Sequence, residues 1–230
     1  MIKLALSGAQ GRVGKVITDM LKEEPHFSLV AELLEDNQGL TTLDSSGAEV
    51  LIDFTVPSAT IDYVEICCQK QLPMVIGTTG FSKEQKAHIV DASKKIPIVF
   101  APNMSVGVNL ALKVVEFLTK ALVNEANISL VETHHKHKKD TPSGTALLMA
   151  SVINEAAGKD LIDSKNIKSE RLDEGAGQHT VLFSLLSESL EIKHKAADRS
   201  VYAKGSLAAA RWLLNKEAGL YDMQDVLGLK

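Results

Sequence analysis

Residues 2–21 run from an apolar stretch, Ile2-Lys3-Leu4-Ala5-Leu6-Ser7, straight into Gly8-Ala9-Gln10-Gly11-Arg12-Val13-Gly14 and on into a helix-forming stretch, 16–21. Strand, tight glycine turn, helix is the opening of a βαβ unit. The pattern repeats. Strand-like runs at 27–33, 49–55, 74–80 and 97–101 alternate with helical stretches at 58–69 and 83–95. Such alternation commits the chain to an α/β fold built on a parallel sheet. Ligands of such sheets gather beyond the carboxyl ends of the strands. Those ends are Asp53-Phe54-Thr55, Gly77-Thr78-Thr79 and Ala101-Pro102-Asn103.

The first turn has the context of a dinucleotide site. Its glycines are spaced G-x-x-G-x-x-G, less specific than G-x-G-x-x-G, but a tight turn before a helix still presents amides to a pyrophosphate. Gly8, Gln10, Gly11, Arg12, Val13 and Gly14 are therefore candidate cofactor residues, with Arg12 placed to neutralise phosphate or cover the adenine. Glu35 follows the second strand about 20 residues past the last glycine, the spacing at which an acid bonds the adenosine ribose. An acid there favours NAD(H), because it repels the 2′-phosphate of NADP(H). Gly77, Thr78 and Thr79 are placed to reach the nicotinamide ribose and carboxamide. Ordinary turn chemistry is the plain alternative for each of these residues.

A second signal lies at 132–146, Glu-Thr-His-His-Lys-His-Lys-Lys-Asp-Thr-Pro-Ser-Gly-Thr-Ala. A strand-like run, 128–133, precedes it and a helix-forming run, 146–154, follows, so the histidines and lysines are expected in a strand-to-helix turn. Thr141-Pro142-Ser143 is a helix start signal. The amides of Ser143, Gly144 and Thr145 then face out of a helix N-terminus, where a carboxylate binds well. Lys138 and the histidines add cationic donors, and histidine titrates near neutral pH, which suits proton transfer. A solvated basic loop before an ordinary cap is the bland reading of the run. No metal is expected: adjacent histidines on extended chain point to opposite sides, and no Cys or HExxH pattern accompanies them.

The remaining features set bounds. The chain has 230 residues, 45% hydrophobic and 23% charged, enough for one large or two modest domains. A net charge of −4 argues against general nucleic-acid binding. The apolar runs are too short for a membrane span, and with a strand expected from Ile2 no signal peptide is expected. Cys67 and Cys68 are adjacent and read as free thiols of a cytoplasmic protein. A domain junction is expected at 103–107, then a helix over 108–123, strands at 180–186 and 189–194, and a helix over 205–216. The two late strands imply an open mixed sheet, and 160–177 reads as a long loop.

These blocks together resemble the dihydrodipicolinate reductase family. The run at 132–146 is similar to the family signature through Glu132, His134, His135, Lys138, Asp140, Pro142, Ser143, Gly144, Thr145 and Ala146. Residues 8–14, 52–55, 75–80, 103–109, 177–180 and 191–196 also look like family blocks, so the resemblance covers nearly the whole chain. It implies a Rossmann-like doubly wound parallel sheet binding NADH and/or NADPH, formed by 1–104 with 200–230. It implies a second α/β domain, 105–199, that binds a small cyclic dicarboxylate and builds a homotetramer. By motif position, His134 and Lys138 are implied as the catalytic proton donors. His135, Lys138, Ser143, Gly144 and Thr145 are implied as the substrate clamp, and Gly77, Thr78, Thr79, Ala101, Pro102, Asn103 and Met104 as nicotinamide-side contacts. The reaction implied is reduction of dihydrodipicolinate in diaminopimelate and lysine synthesis, with domain closure about residues near Asn103 and Arg199.

The chain departs from the family pattern in places. Leu34 stands where the family's ribose-binding acid usually lies, and Glu35 where some members carry an Arg for NADP. From this, NADH is expected to serve at least as well as NADPH. Met104 replaces a more usual Phe, and Gln178 an acid. The rival readings are another two-domain nicotinamide dehydrogenase of amino or imino acids, and an NAD(H) sensor without turnover. Substrate profiling separates the first, and absence of cofactor consumption the second.

Overall fold

The computed structural model of the chain describes residues 1–33, 38–136, 138, 140–172 and 177–230. Its contacts divide into two compact units, Met1–Val106 with Arg199–Lys230, and Gly107–Asp198.

The first unit is built on β1 (Ile2–Ser7), β2 (Phe27–Leu33), β3 (Val50–Asp53), β4 (Met74–Ile76), β5 (Pro97–Phe100) and β10 (Gly219–Tyr221). The strand order is β10-β5-β4-β3-β1-β2, and all the pairings are parallel. Both faces are covered, and strand alternation divides the core in two. Leu4, Leu6, Val50, Ile52, Val75 and Val99 face one side, against α1 (Gly14–Leu21), α7 (Ser200–Leu213) and α8 (Met223–Val226). Ala5, Leu51, Met74, Ile76 and Ile98 face the other, against α2 (Gln38–Ser45), α3 (Pro57–Lys70) and α4 (Lys83–Ser93). Near-continuous apolar runs are what a strand buried on both faces requires. The carboxyl-terminal segment completes this unit. Small residues let α7 approach closely: a Cβ on Gly205 would stand 1.7 Å from the Met104 carbonyl oxygen.

The order reverses beside β1, with β2 on one side and β3 on the other. This is the topological switch point, where the crevice of an open sheet lies. The loops after β1 and β3 meet there: a Cβ on Gly8 would stand 2.3 Å from the Phe54 carbonyl oxygen.

The second unit has a four-stranded sheet of β6 (Asn127–His135), β7 (Lys168–Leu172), β8 (Gln178–Ser184) and β9 (Ser189–Lys195), in the order β7-β6-β8-β9. β6 is parallel to β7 and antiparallel to β8, so the sheet is mixed, as expected. One face packs on α5 (Val106–Leu122) and α6 (Gly144–Ala157) through Leu130, Val181, Phe183, Val115 and Met149.

Two expectations need correction. Residues 160–177 are not one long loop: they contain a 3-10 turn, Ser164–Asn166, and strand β7. Lys-Ser-Glu-Arg-Leu has no apolar alternation, and only pairing with β6, more than 30 residues away in the chain, makes it a strand. The histidines are not all in a turn either, since β6 continues through His135. The last residues form β10 and α8, which the sequence pattern did not announce.

Candidate active site

The β6 alternation places Leu130, Glu132 and His134 on the face that packs against α6. Register then builds rows across the sheet. Leu130 pairs Val181, which pairs Ile192, an apolar row; one step along, Ser169, Glu132, His179 and His194 form a polar row. The core stripe thus turns polar near the sheet's end. Fully buried polar side chains in such a position need partners.

Glu132 is 0% exposed and has them. Its Oε1 accepts from Arg171 Nη1 at 2.9 Å, and its Oε2 makes a short contact with His134 Nδ1. Burial alone would raise the Glu132 carboxyl, but Ser169 and Arg171, with the His134 charge, hold it below its ordinary range. Burial lowers His134; Glu132 pulls it back up, and Lys138 and Arg171 push it down, for a net lowering. Arg171 also fastens the next loop, donating to the Asp140 carbonyl at 2.9 Å and the Thr141 hydroxyl at 2.7 Å.

His179 shares this cluster. Its ring lies edge-on to that of His134, centroids 5.1 Å apart. Polar atoms of Glu132, His134 and His179 all lie within 4.8 Å of one another. His179 Nε2 is 2.9 Å from Ser143 Oγ, and Ser143 caps α6 by accepting from the Ala146 amide. Burial pushes His179 down to about 4, assisted by His134, so it is neutral at physiological pH. The helix start is thereby tied to the histidine cluster. At Gly144, exposed on the first turn, an added Cβ would meet nothing within 4 Å, so the approach to the helix start is open. Thr145 follows in the same turn.

Lys138 pairs with Asp140, at 2.8 Å to one carboxylate oxygen and 2.9 Å to the other. It is near enough to His134 and His179 for its charge to lower both. His135, next to His134 on the strand, is directed by alternation to the opposite face of the sheet, so the structure separates it from Glu132 and His134.

In the first unit, the glycine turn is closed by Gly11 N–H to the Gly8 carbonyl at 2.9 Å and Lys15 N–H to the Gly11 carbonyl at 3.0 Å. Among the described residues, the amides of Arg12, Val13 and Gly14 have no backbone acceptor, and α1 has no side-chain cap. A Cβ on Gly14 would stand 2.0 Å from the Gly8 carbonyl oxygen, so the turn packs only as glycine. Gln10, Gly11 and Arg12 are exposed around it. An uncapped helix start behind a glycine turn fits a dinucleotide pyrophosphate.

Asp53, at the end of β3, is fully buried. It accepts hydroxyl hydrogen bonds from Ser7, Thr55 and Thr60 at 2.6 Å and from Thr78 at 2.7 Å. Thr78 Oγ1 in turn accepts the Thr55 amide at 2.9 Å. Thr78 is therefore a buried tie, whereas Thr79 is exposed; Gly77 packs under the Phe54 ring, where a Cβ would be 2.2 Å away. Ala101, Asn103 and Met104 are buried and Pro102 is exposed. Glu35 lies outside the described residues.

Two models of one family span nearly the whole chain: dihydrodipicolinate reductase, N-terminus, matches residues 2–104, and dihydrodipicolinate reductase, C-terminus, matches 107–227. The chain belongs to the dihydrodipicolinate reductase family. The 4-hydroxy-tetrahydrodipicolinate reductase of Hahella chejuensis is 39% identical over 267 aligned positions, covering 100% of both chains. That of Nitrosomonas eutropha is 41% identical over 266, covering 100% of this chain and 99% of the relative. A dipicolinate-bound dihydrodipicolinate reductase from Paenisporosarcina sp. TG-14 superposes with a TM-score of 0.84 at 22% identity, over 98% of each chain, and so shares the fold.

The resemblance drawn from the His-His and Pro-Ser-Gly-Thr blocks is borne out, and with it the Rossmann-like sheet and the second α/β domain. Membership makes the protein an oxidoreductase of diaminopimelate and lysine biosynthesis, in a family that uses NAD(P)H. Among the described residues, no helix is long and apolar enough to cross a membrane.

Four residues of the two sites were given no role by sequence reasoning. Arg171 fell in the expected loop. Glu132 and His179 were visible only as members of family blocks. Asp53 marked a strand end, with nothing in the sequence to show that four hydroxyls converge on it.

Proposed function

We propose that the chain reduces 4-hydroxy-tetrahydrodipicolinate (dihydrodipicolinate) to tetrahydrodipicolinate, with NAD(P)H held by the first unit and the cyclic dicarboxylate by the second. One observation carries the reading. His134, paired to a buried carboxylate, stands with Lys138 beside the open helix start of α6.

NAD(P)H, when bound, supplies the hydride. Arg12, Val13 and Gly14 offer their amides to its pyrophosphate and Arg12 its charge, with Gly8, Gln10 and Gly11 shaping the approach. Thr79 and Pro102 offer exposed contacts on the nicotinamide side, while Gly77, Thr78, Ala101, Asn103 and Met104 shape the strand ends behind them. Glu35 takes the adenosine ribose, so NADH serves at least as well as NADPH.

Ser143, Gly144 and Thr145 hold one substrate carboxylate at the positive end of α6. Lys138 exchanges Asp140 for the substrate. Charge develops on the ring as hydride adds to its conjugated system. His134 and Lys138 stabilise that charge, and His134 delivers the proton. The protein works in the cytoplasm as a homotetramer.

The test is a coupled assay in which a synthase condenses pyruvate with aspartate semialdehyde and absorbance at 340 nm is followed with NADH and NADPH in parallel. Oxidation that needs the condensation product is expected, with an NADH rate at least equal to that with NADPH. Replacing His134 by Gln should lower kcat far more than it raises KM. No oxidation with either cofactor, by folded protein that binds NADH, would overturn the reading.

A further inference from the structure

We propose that Glu132 is a positioning residue of the reaction: clamped by Arg171, it holds the His134 ring by Nδ1 and so reserves Nε2 as the atom that hands over the proton. This rests on the reading of His134 as proton donor and adds what sets its geometry.

The Glu132 side chain is 0% exposed, against 11% for His134 and 21% for Arg171. A carboxylate buried at the end of an apolar stripe is expensive unless both oxygens are engaged. Here Oε1 takes Arg171 at 2.9 Å and Oε2 takes His134 Nδ1. The two acidic and imidazole groups sit two residues apart on one strand, so strand alternation itself points them the same way. On the other side of the ring, Nε2 borders Gly177, where a Cβ would stand 2.6 Å from it. The ring is held from behind and has glycine, not a side chain, in front.

Which nitrogen carries the proton in neutral histidine is set by the partner of the other. With Glu132 at Nδ1, that proton is retained in both charge states. The cation therefore loses only the Nε2 proton: the N–H bond breaks as the bond from hydrogen to the reduced ring forms, the electron pair stays on Nε2, and a neutral imidazole protonated at Nδ1 remains. Solvent reprotonates it before the next turnover. The charged and titratable groups around His134 are Glu132 on its own strand, Lys138 and Asp140 from the loop that follows, Arg171 on β7 and His179 on β8. Glu132 is the anion in contact with the ring. Removing it leaves Lys138 and Arg171 to disfavour the cation.

The first test needs no variant. In the NADH-bound protein labelled with ¹⁵N-histidine, His134 above its titration midpoint should show protonated Nδ1 and bare Nε2; the reverse tautomer overturns the proposal. The second compares Glu132→Gln and Glu132→Asp in the coupled assay. Glu132→Gln should lose roughly 10- to 100-fold in kcat, with both KM values within about threefold. Its alkaline limb, where activity is lost as the acid deprotonates, should move to lower pH. Glu132→Asp should keep the limb near its original position. Wild-type kcat and an unmoved limb in Glu132→Gln, with His134→Gln inactive, would refute the role of Glu132 alone. Full activity of His134→Gln would instead refute the proton-donor reading beneath it. If Glu132→Gln fails to fold, the tautomer measurement decides.

Discussion

Gly177 faces the His134 ring with no space for a methyl group between them: a Cβ at 177 would lie 2.6 Å from Nε2 and 3.0 Å from Cδ2. The obstacle would not be a loose side-chain tip, because the other edge of the ring is held by Glu132. Gly177 therefore keeps open the edge of the imidazole from which a proton would leave.

Gly177→Ala is expected to lower kcat at least about tenfold by displacing the ring, while overpacking at this partly exposed position costs about 1–3 kcal/mol. Steady-state kinetics beside a thermal melt checks it. Full activity at unchanged Tm would show that the ring works from another position.

The Lys138–Asp140 pair predicts opposite effects from its two members. Lys138→Ala should raise the substrate KM and lower kcat, each by about tenfold or more, because a charge-assisted contact to a carboxylate is lost. Asp140→Asn removes a competitor for the same ammonium. The Asp140 side chain is 59% exposed, and exposed ion pairs contribute at most about 1 kcal/mol, so the substrate KM should fall by no more than about fivefold. A Lys138→Ala enzyme with normal KM would remove Lys138 from the clamp.

Asp53 joins the ends of β1, β3 and β4 through Ser7, Thr55 and Thr78. Asp53→Asn retains one acceptor oxygen and turns an amide on groups that donate, at a cost of about 1–3 kcal/mol. The loops it ties lie beside the proposed cofactor path, so the KM for NADH should rise more than that for substrate. Calorimetry with both KM values measures this; equal changes in the two KM values would show a general loss of structure instead.

Acid should destabilise the protein through His179. Its folded value, about 4, lies below the ordinary 6.5, so the unfolded chain binds the extra proton first. The stabilisation is fully present above about pH 6.5 and is lost as pH falls toward 4, on the order of 3 kcal/mol over that window. His134 and His194, also lowered by burial, act with the same sign. Melting curves from pH 7 to 4.5 should fall steeply for the wild type and less steeply for His179→Gln. Parallel curves would mean that His179 is not held neutral.

Much of the first unit could be read from the chain because its signals are local. Strands buried on both faces appear as continuous apolar runs, and a glycine turn that enters a helix directly leaves few choices of connection. The helix start at Ser143 was legible for the same reason: hydroxyl, proline and glycine chemistry acts within a few residues. The histidine–lysine run marked a cluster of titratable side chains, but that β6 continues through His135, with Glu132 and His134 on one side, was seen only in the structure.

Tertiary structure alone decided what those residues touch. β7 carries no apolar pattern and becomes a strand only by pairing with β6, which brings Arg171 to Glu132. His179 reaches Ser143 and His134 because β8 lies antiparallel to β6 in one register and α6 packs across both. Asp53 finds Thr55 and Thr60 close by in the chain, but only the parallel order of β1, β3 and β4 brings Ser7 and Thr78 to it. These contacts join residues up to 46 positions apart. A hydrogen bond between distant residues depends on strand register, and register follows from the packing of the whole sheet.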